Sequence, residues 1–401
     1  MKICFVTSVF PRHPDDLEVP WLRILVKRLR AKGHDIRIFV PSFRGLKSHA
    51  IDGIPVKRFR YFFAPWETLT HDEGAPNKIY KLHYKIISVF YILAGTLGLI
   101  RFHAKERFDI LHVHWPFPHG IFGFVARMLV RSKIVLTFYG ADMLLVKKYS
   151  FVKHFLRYFI KHADSVIAIS SFTGKEVKAV YDRPLHIIPY GTAIALKTDL
   201  PPHTPGHRIL SVGRMIERKG FAYLINAMPR VLATYPDARL TIAGGGALHA
   251  DLVSLRDSLG LQQSVDLPGK VPNETLENLF ASCDVFVLPS IIDSKGDTEG
   301  LGVVILEALT YSKPVIATEI GGIVDIVQHN KTGLLVPQKD PQALADAICA
   351  IFSDPARSKA LVAKGIRHIR EHFSWENIVA TYLSLYDSTL KSSTETDARS
   401  A

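Results

Sequence analysis

The chain has 401 residues, of which 48% are hydrophobic and 22% charged, so it is not disordered and has room for two globular domains. Its three cysteines, Cys4, Cys283 and Cys349, are far apart, which excludes a disulfide framework and a cysteine-based zinc site and favours a reducing cytosol. The N-terminal run MKICFVTSVF is too short for a signal peptide and predicts a buried strand.

The formal net charge of +13 resides in the first half of the chain. Residues 1–190 contain 30 Lys and Arg against 14 Asp and Glu, whereas residues 191–401 contain 20 against 23. A basic half indicates an anionic partner, either a phospholipid surface or a phosphorylated substrate. Nucleic acid is disfavoured, because no zinc-finger, RNP or helix-turn-helix pattern accompanies the charge. A basic surface without any partner remains an alternative.

Short apolar runs alternate with helical patterns through residues 1–190, as in KICFVTS, LRILVKRLRAKGH, DIRIFVP, DILHVHW, KIVLTFYG and SVIAIS. Strand, helix and strand in repetition predict a parallel sheet with helices on both faces, which is a Rossmann-like α/β domain. One uncharged stretch of fifteen residues, 86–100, is shorter than the ~20 residues that span a membrane. It predicts a buried core helix first, a membrane-surface helix second and a true span last.

A proline-rich linker follows near residue 191, and the alternating pattern restarts in RILSVGR, ARLTIAGGG, SVDLPGK, DVFVLPS, PVIATE and GLLVP. These runs predict a second Rossmann-like domain over residues 207–372. An amphipathic helix over about 373–390 is expected to pack back on the first domain, and residues 391–401 are expected to form a disordered tail.

The segment VGRMIERKG places Arg214 and Lys219 between a strand and a helix N-terminus. A helix N-terminus favours negative charge, and Arg and Lys add two cations, so this pattern predicts a diphosphate site. Two ordinary exposed loop cations are the alternative. On spacing alone the two interpretations are equally good.

The segment DTEGLGVVILEAL carries Glu299 and Glu307, with Gly300 and Gly302 between them. If the helix begins near Leu301, Glu307 lies about two turns into it on an apolar face. A carboxylate there needs partners, so we expect it to accept hydrogen bonds from a hydroxyl-rich ligand or from backbone. Glu299 is expected beside the amides at the helix start. Capping and packing are the alternative roles.

Polar side chains also follow two strands of the basic half. His112 and His114 end one strand on the same face, and Tyr139 and Asp142 follow the next strand. For His114, an acid–base or hydroxyl-binding role and a purely structural role as a packed histidine at the strand end are equally open. A metal site using His112, His114 and His119 is disfavoured, because no carboxylate completes a ligand spacing.

Taken in order, RILSVGRMIERKG, AGGG, DLPGKV, LPS, DTEGLGVVILEAL, KPVIATEIGG and TGLLVP resemble the motifs of the retaining glycosyltransferases of family 4. The resemblance covers nearly all of residues 1–390 and is most specific in 207–340. It implies the GT-B fold, in which two Rossmann-like parallel-sheet domains face each other across a cleft. It also implies sugar transfer from a UDP- or GDP-sugar to a hydroxyl of a glycan or lipid-linked acceptor, in cell-surface polysaccharide or lipopolysaccharide synthesis.

The resemblance assigns roles to residues of the second domain. It implies a diphosphate held by Arg214 and Lys219, a ribose bound by Glu307, a base near Gly269, Lys270 and Val271, and a sugar contacted by Glu299, Gly300, Leu301 and Gly302. Arg214 and Lys219 would be catalytic because fixed cations stabilise the leaving diphosphate, and Glu299 because it positions the sugar. Neither a metal ion nor a cofactor is expected.

Two departures from the family affect the first domain. The family's glycine pair after the first strand is replaced here by FPRHPDDLEVPW, and Pro11 and His13 are expected to contact the acceptor together with Tyr139. Many members have a histidine where this chain has Tyr139, and His114 and Asp142 are the candidate catalytic substitutes. A non-catalytic subunit that binds sugar nucleotide and a sugar-nucleotide epimerase are the alternative functions. We expect a cytoplasmic protein, or a peripheral one whose basic domain docks on the anionic inner face of the plasma membrane.

Overall fold

The computed structural model describes residues 1–16, 18–71, 78–79, 81–192 and 206–391. The chain divides into two compact units, residues 1–193 with 375–401, and residues 194–374. Each unit is built on its own largely parallel sheet, which confirms the predicted class of two α/β domains. Nearly all of the predicted linker, and the tail after residue 391, lie outside the described residues.

The first unit contains an eight-stranded sheet in the order β3-β4-β2-β1-β5-β6-β7-β8. Every pair of neighbouring strands is parallel except β3 and β4. The strands are β1 Lys2–Val6, β2 Asp35–Pro41, β3 His49–Ile51, β4 Ile54–Phe59, β5 Ile110–His114, β6 Lys133–Phe138, β7 Ser165–Ala168 and β8 His186–Ile187.

Helices cover both faces of this sheet. They are α1 Pro20–Ala31, α2 Leu82–Glu106, α3 Pro116–Leu129, α4 Ala141–Lys148, α5 Ser150–His162, α6 Ser171–Val180 and the C-terminal α14 Trp375–Lys391, with a 3-10 turn at Ala64–Trp66. Successive strand residues point to opposite faces. Cys4 and Val6 therefore join a core with α2, α3 and α5, whereas Ile3 and Phe5 join a second core with α1 and α14.

The second unit contains a six-stranded parallel sheet in the order β11-β10-β9-β12-β13-β14. Its strands are β9 Arg208–Val212, β10 Arg239–Ala243, β11 Val265–Gly269, β12 Val285–Leu288, β13 Val315–Thr318 and β14 Leu334–Val336. Its helices are α7 Phe221–Thr234, α8 His249–Ser258, α9 Asn273–Ser282, α10 Val304–Thr310, α11 Ile323–Ile326, α12 Pro341–Ser353 and α13 Pro355–His372.

The C-terminal helix α14 completes the core of the first unit. The indole Nε1 of Trp375 donates to the carbonyl of Thr192 at 2.8 Å, which fixes the start of the helix. One turn from its end, the hydroxyl of the fully buried Tyr386 lies 2.7 Å from Nδ1 of His112 on β5. The last helix of the chain thus supplies a hydrogen-bond partner to a buried histidine in the central strands.

We predict that Tyr386→Phe lowers the free energy of unfolding of the first unit by about 1–3 kcal/mol. The substitution keeps the ring but leaves Nδ1 of buried His112 without its partner, and that penalty is set by desolvation. Urea unfolding followed by circular dichroism measures it. The control is Thr381→Ala, which removes an exposed hydroxyl from the same helix and should change stability by at most about 0.5 kcal/mol. Equal effects of the two substitutions would contradict the buried-partner argument.

Candidate functional site

The loop after β9 is shaped by a glycine that accepts close backbone contact. A 3-10 turn at Glu217–Lys219 ends at Gly220, whose φ is +64°. A Cβ at Gly220 would lie 2.0 Å from the carbonyl oxygen of Pro289, so the loop packs on the chain that follows β12 only because it has no side chain there. This contact sets Lys219 beside the carboxyl end of β12.

Lys219 forms a buried ion pair with Glu299. Its Nζ lies 2.6 Å from Oε2 of Glu299, and each residue is only 9% exposed. Nη1 of Arg218 lies 3.3 Å from the other carboxylate oxygen, and the hydroxyl of Ser290 donates to Oε2 at 3.3 Å. Burial alone raises the pKa of Glu299, but the two cations and these hydrogen bonds outweigh it and lower the pKa to about 2.

The sequence predicts both Arg214 and Lys219 as loop cations, but the structure shows that their environments differ. Arg214 is exposed, with no carboxylate in ion-pair range among the residues that the structure describes. Lys219 is buried, because its ammonium neutralises a carboxylate that comes from a loop 80 positions later. Arg214 can therefore bind an anion from solution, whereas Lys219 links the loop after β9 to the loop that contains Glu299.

Glu307 lies in the first turn of α10, because the helix begins at Val304 rather than near Leu301. Gly302, with φ of +84°, delays the helix start, so the prediction of Glu307 two turns in is wrong. Its carboxylate is half-buried, and within the described residues no hydrogen bond satisfies it. Burial raises its pKa to about 7, although the nearby charge of Lys219 lowers it.

Two glycines of the segment KPVIATEIGG hold the loop that contains Glu299. A Cβ at Gly321 would lie 2.1 Å from the carbonyl oxygen of Glu299, and one at Gly322 would lie 2.1 Å from that of Gly300. The amide of Gly322 also donates to the carbonyl of Glu299 at 2.9 Å. The predicted sugar-contacting segment, Gly300 to Gly302, is therefore fixed by backbone contacts.

Backbone hydrogen bonds connect the predicted base-binding segment, through the loop after β10, to the predicted diphosphate loop. The amide of Gly213 donates to the carbonyl of Ala243 at 3.0 Å, and that of Gly244 donates to Gly269 at 2.8 Å. The loops after β9, β10 and β11 are thus joined edge to edge, with exposed Lys270 next in the chain and half-buried Val271 after it. The AGGG segment serves this close backbone packing, since a Cβ at Gly244 would lie 1.9 Å from the carbonyl of Gly213.

Sequence reasoning missed Arg218 and Ser290 as partners of Glu299. Arg218 also lies 3.3 Å from Asp297, which precedes Glu299 by two residues. Each residue stands inside a quoted motif, Arg218 in ERKG and Ser290 in LPS. The motifs therefore contained the signal, but only the packing of the two loops shows that they converge on one carboxylate.

In the first unit, the histidines form a buried, neutral cluster. The rings of His112 and His114 lie 4.1 Å apart, which places them on one face as predicted. Nδ1 of His114 lies 2.7 Å from the hydroxyl of Tyr139, and Nε2 has no partner in the described part of the chain. Burial lowers the pKa of His112 to about 3 and holds that of His114 well below its usual value, so both rings are neutral at pH 7. Within the described residues, no three His, Cys, Asp or Glu side chains are grouped as metal ligands.

Asp142 is the buried carboxyl of this region. Oδ2 accepts a hydrogen bond from the amide of Tyr139 at 3.3 Å, whereas Oδ1 has no partner among the described residues. Burial raises its pKa to about 7, against backbone hydrogen bonds that lower it. Asp142 and His114 both converge on Tyr139, one through its amide and the other through its hydroxyl.

The predicted acceptor loop borders a separate pocket in the first unit. A pocket of about 650 Å³ is lined by residues of the loops after β1 and β2, namely Arg12, His13, Phe43, Arg44, Gly45, Leu46 and Lys47. Pro11 is buried, and its carbonyl accepts a hydrogen bond from Arg58 at 2.7 Å. Tyr139 does not line this pocket but stacks on Trp115, with ring centroids 4.4 Å apart.

We predict that Lys219→Ala lowers the free energy of unfolding by about 3 kcal/mol, because it leaves a buried carboxylate with Arg218 as its remaining cation. Arg214→Ala, at an exposed cation of the same loop, should change stability by at most about 0.5 kcal/mol. Removing both charges in Lys219→Met with Glu299→Gln should restore most of the loss. Equal stability of the two alanine variants in urea would contradict a structural ion pair.

We predict that Glu307 makes the protein less stable as pH rises from about 4.3 to 7. Its pKa of about 7 in the folded state exceeds the unfolded value of about 4.3, so the folded state binds more protons in this window. Glu307→Gln should reduce this slope, measured by urea unfolding at several pH values. Glu274→Gln, at an exposed carboxylate of α9, is the control and should leave the slope unchanged; a similar flattening there would argue against Glu307.

Comparison with known proteins gives a family to each unit. The family model described as Glycosyltransferase Family 4 matches residues 21–195. The family model described as Glycosyl transferases group 1 matches residues 197–368. An uncharacterized glycosyltransferase of Methanocaldococcus jannaschii is 26% identical over 96% of this chain and 98% of its own length. A GDP-mannose-dependent α-(1-6)-phosphatidylinositol monomannoside mannosyltransferase of Mycobacterium tuberculosis is 35% identical over 43% of this chain and 45% of its own.

Among solved structures, HepE of Anabaena in complex with UDP superposes with a TM-score of 0.71 at 18% identity, covering 97% of this chain and all of HepE. This likeness extends the agreement in fold to both units. With a family model on each unit and a glycosyltransferase relative along nearly its whole length, the chain belongs to glycosyltransferase family 4 and is a glycosyltransferase of the GT-B fold.

Proposed function

We propose that this glycosyltransferase moves a sugar from a UDP- or GDP-sugar to a hydroxyl of a glycan or lipid-linked acceptor, with retention of the anomeric configuration. The observation that carries the proposal is the charge arrangement at the carboxyl edge of the second sheet. Exposed Arg214 and the buried pair of Lys219 with Glu299 lie on adjoining loops of that edge, and the half-buried carboxylate of Glu307 lies in the first turn of α10 beside them. Ligands of open parallel sheets bind at this edge.

The donor diphosphate is an anion, and the positive groups at this edge are suited to bind it. Arg214 offers a planar fork of donors, Lys219 contributes a positive charge, and helix α7 begins two residues after Lys219, so its free amides favour an anion. These groups stabilise the diphosphate as it leaves, and the proposal therefore includes neither a metal ion nor a cofactor. Glu307 accepts hydrogen bonds from the ribose hydroxyls. Its carboxylate is half-buried and has no hydrogen-bond partner among the described residues, which supports that role.

Glu299 is suited to position the sugar rather than to attack it. Two cations and a hydroxyl hold its carboxylate ionised, with a pKa of about 2, which makes it a weak nucleophile but leaves charged oxygens that can accept hydrogen bonds from sugar hydroxyls. Gly300, Leu301 and Gly302 present backbone to the same sugar. Retention is then proposed to follow same-face attack, in which the acceptor oxygen bonds to the anomeric carbon as the bond to the phosphate oxygen breaks. The acceptor proton passes to that phosphate oxygen.

The base and the acceptor are proposed at the level of chemical class. HepE binds UDP and the mycobacterial relative depends on GDP-mannose, so both bases stay candidates for the segment Gly269, Lys270 and Val271. The mycobacterial relative acts on a phosphatidylinositol mannoside, which supports a membrane-borne acceptor in cell-surface polysaccharide or lipopolysaccharide synthesis. The pocket beside His13, with Arg12, Arg44 and Lys47 around it, is proposed to receive the acceptor. Neutral His114 and Asp142, whose pKa is about 7, are proposed to assist near Tyr139.

We predict that Arg214→Ala lowers kcat/KM for the donor at least about 100-fold, the usual effect of removing one group that stabilises a developing anion. Arg239→Ala, an exposed cation at the opposite, amino end of β10, should retain full activity. Transfer is measured with purified protein on UDP- and GDP-sugars, and the product's anomeric configuration is read by NMR. Glu299→Gln should mainly lower kcat, and Glu307→Gln should mainly raise the donor KM.

Four results would contradict the proposal. Normal transfer by Arg214→Ala or Glu299→Gln would remove the assigned diphosphate and sugar contacts. An inverted product would remove same-face attack. Loss of activity on adding EDTA, restored by a divalent cation, would replace the metal-free mechanism. Epimerisation of the sugar nucleotide without acceptor would favour the other activity that the sequence left open.

A further inference from the structure

Helix α2 carries a continuous apolar stripe on its solvent side. Six large apolar side chains on this stripe are each 47–73% exposed: Leu82, Ile86, Val89, Phe90, Leu93 and Leu97. Their spacing places them on one face of an α-helix. Soluble proteins rarely leave so many neighbouring apolar side chains in water, so the stripe indicates a binding surface.

The opposite side of α2 is fixed in the core of the first unit. Ile87, Tyr91, Leu99 and His103 are buried there, and Gly95 lets the helix approach Phe122 of α3, since a Cβ at that position would lie 2.5 Å from the Phe122 ring. Among the described residues, α2 is the one helix long and apolar enough to cross a membrane. Because its inner face packs against the sheet, it is suited to lie on a membrane and not to cross it.

The stripe continues onto neighbouring elements. Phe90 contacts Phe62, with ring centroids 5.4 Å apart, next to exposed Phe63, and exposed Trp66 contacts His83. Helix α3 packs against both α2 and α5. Helix α5 adds three exposed aromatic residues at helical spacing, Phe151, Phe155 and Tyr158, of which the first two contact Phe117 of α3. We refer to the exposed side chains of α2 and α5, with Phe63 and Trp66, as the apolar face.

The segment that contains α2 and α5 is strongly basic. Residues 82–162 contain twelve Lys and Arg against three Asp and Glu. Of the three acids, Asp142 is buried, and Glu106 is already paired with Lys2 and Arg37. On α5, the exposed residues Lys153, Arg157 and Lys161 alternate with the exposed aromatic side chains.

We propose that the apolar face docks on an anionic lipid bilayer, with α2 and α5 lying in the plane of the headgroups. Apolar stripes bordered by Lys and Arg bind this interface through both apolar burial and charge, and Trp and Tyr favour the headgroup level. The anionic cytoplasmic leaflet would hold the protein at the inner face of the plasma membrane. A second copy of the chain fits less well, because a twofold interface would oppose two basic faces. The docking does not depend on the proposed transfer chemistry.

Flotation of the full chain with vesicles tests the proposal. The vesicles contain phosphatidylcholine alone, or phosphatidylcholine with about a third phosphatidylglycerol. The protein should bind only the anionic vesicles at low salt, and binding should weaken as salt rises. The double variant Phe90→Glu with Leu93→Glu should lose at least about tenfold in vesicle affinity. Lys153→Gln with Arg157→Gln should lose binding by several-fold while keeping the apolar stripe.

Leu259→Glu is the matched control, because it replaces an exposed leucine of the second unit and should bind vesicles like the unchanged protein. Circular dichroism and urea unfolding verify that each variant is folded, and a variant that fails these checks is replaced by Leu97→Gln. Failure to bind anionic vesicles at low salt overturns the proposal, as does equal binding by the Phe90 and Leu93 double variant. A dimer in solution that this variant converts to monomer would assign the face to a second copy instead.

Discussion

The buried ion pair between Lys219 and Glu299 is the interaction on which the second unit's site depends. It joins the loop after β9 to the loop after β12, and it brings Arg218 and Ser290 onto the same carboxylate. Removing two charges from water is unfavourable, so such a pair persists only where further hydrogen bonds complete it. The pair therefore gives the site a fixed geometry more than it gives the fold net stability.

The same lysine connects the pair to Glu307, whose pKa is raised by burial and lowered by the charge of Lys219. One ammonium thus lies near two carboxylates that respond in opposite ways: Glu299 stays ionised to low pH, and Glu307 is half-protonated near neutrality. A bound diphosphate would add negative charge at this edge, and exposed Arg214 has no carboxylate in ion-pair range within the part of the chain that the structure describes. Lys219 is therefore engaged in an ion pair, whereas Arg214 is exposed and can bind an anion.

At the carboxyl ends of β5 and β6, the first unit joins its buried polar side chains by hydrogen bonds. His112, His114 and Tyr139 are neutral and linked by hydrogen bonds, and the C-terminal helix contributes Tyr386 to that network. Residues 82–162, which include α2 and α5, contain twelve Lys and Arg against three Asp and Glu. The two units thus differ in electrostatics as they do in sequence.

The sequence by itself determined the two parallel α/β domains, because strand and helix periodicities are local, and it determined the family, because seven motifs occur in order. It also identified the residue types of the site, since Arg214, Lys219, Glu299 and Glu307 stand inside those motifs. Only the tertiary structure decided that Lys219 is buried against Glu299, because that contact joins positions 80 apart. The late start of α10 depends on the backbone at Gly302, and the exposure of α2 depends on which of its faces meets the sheet. Periodicity reports that a helix has an apolar side, but burial is set by neighbours distant in the chain, and α2 has more apolar surface than its neighbours can cover.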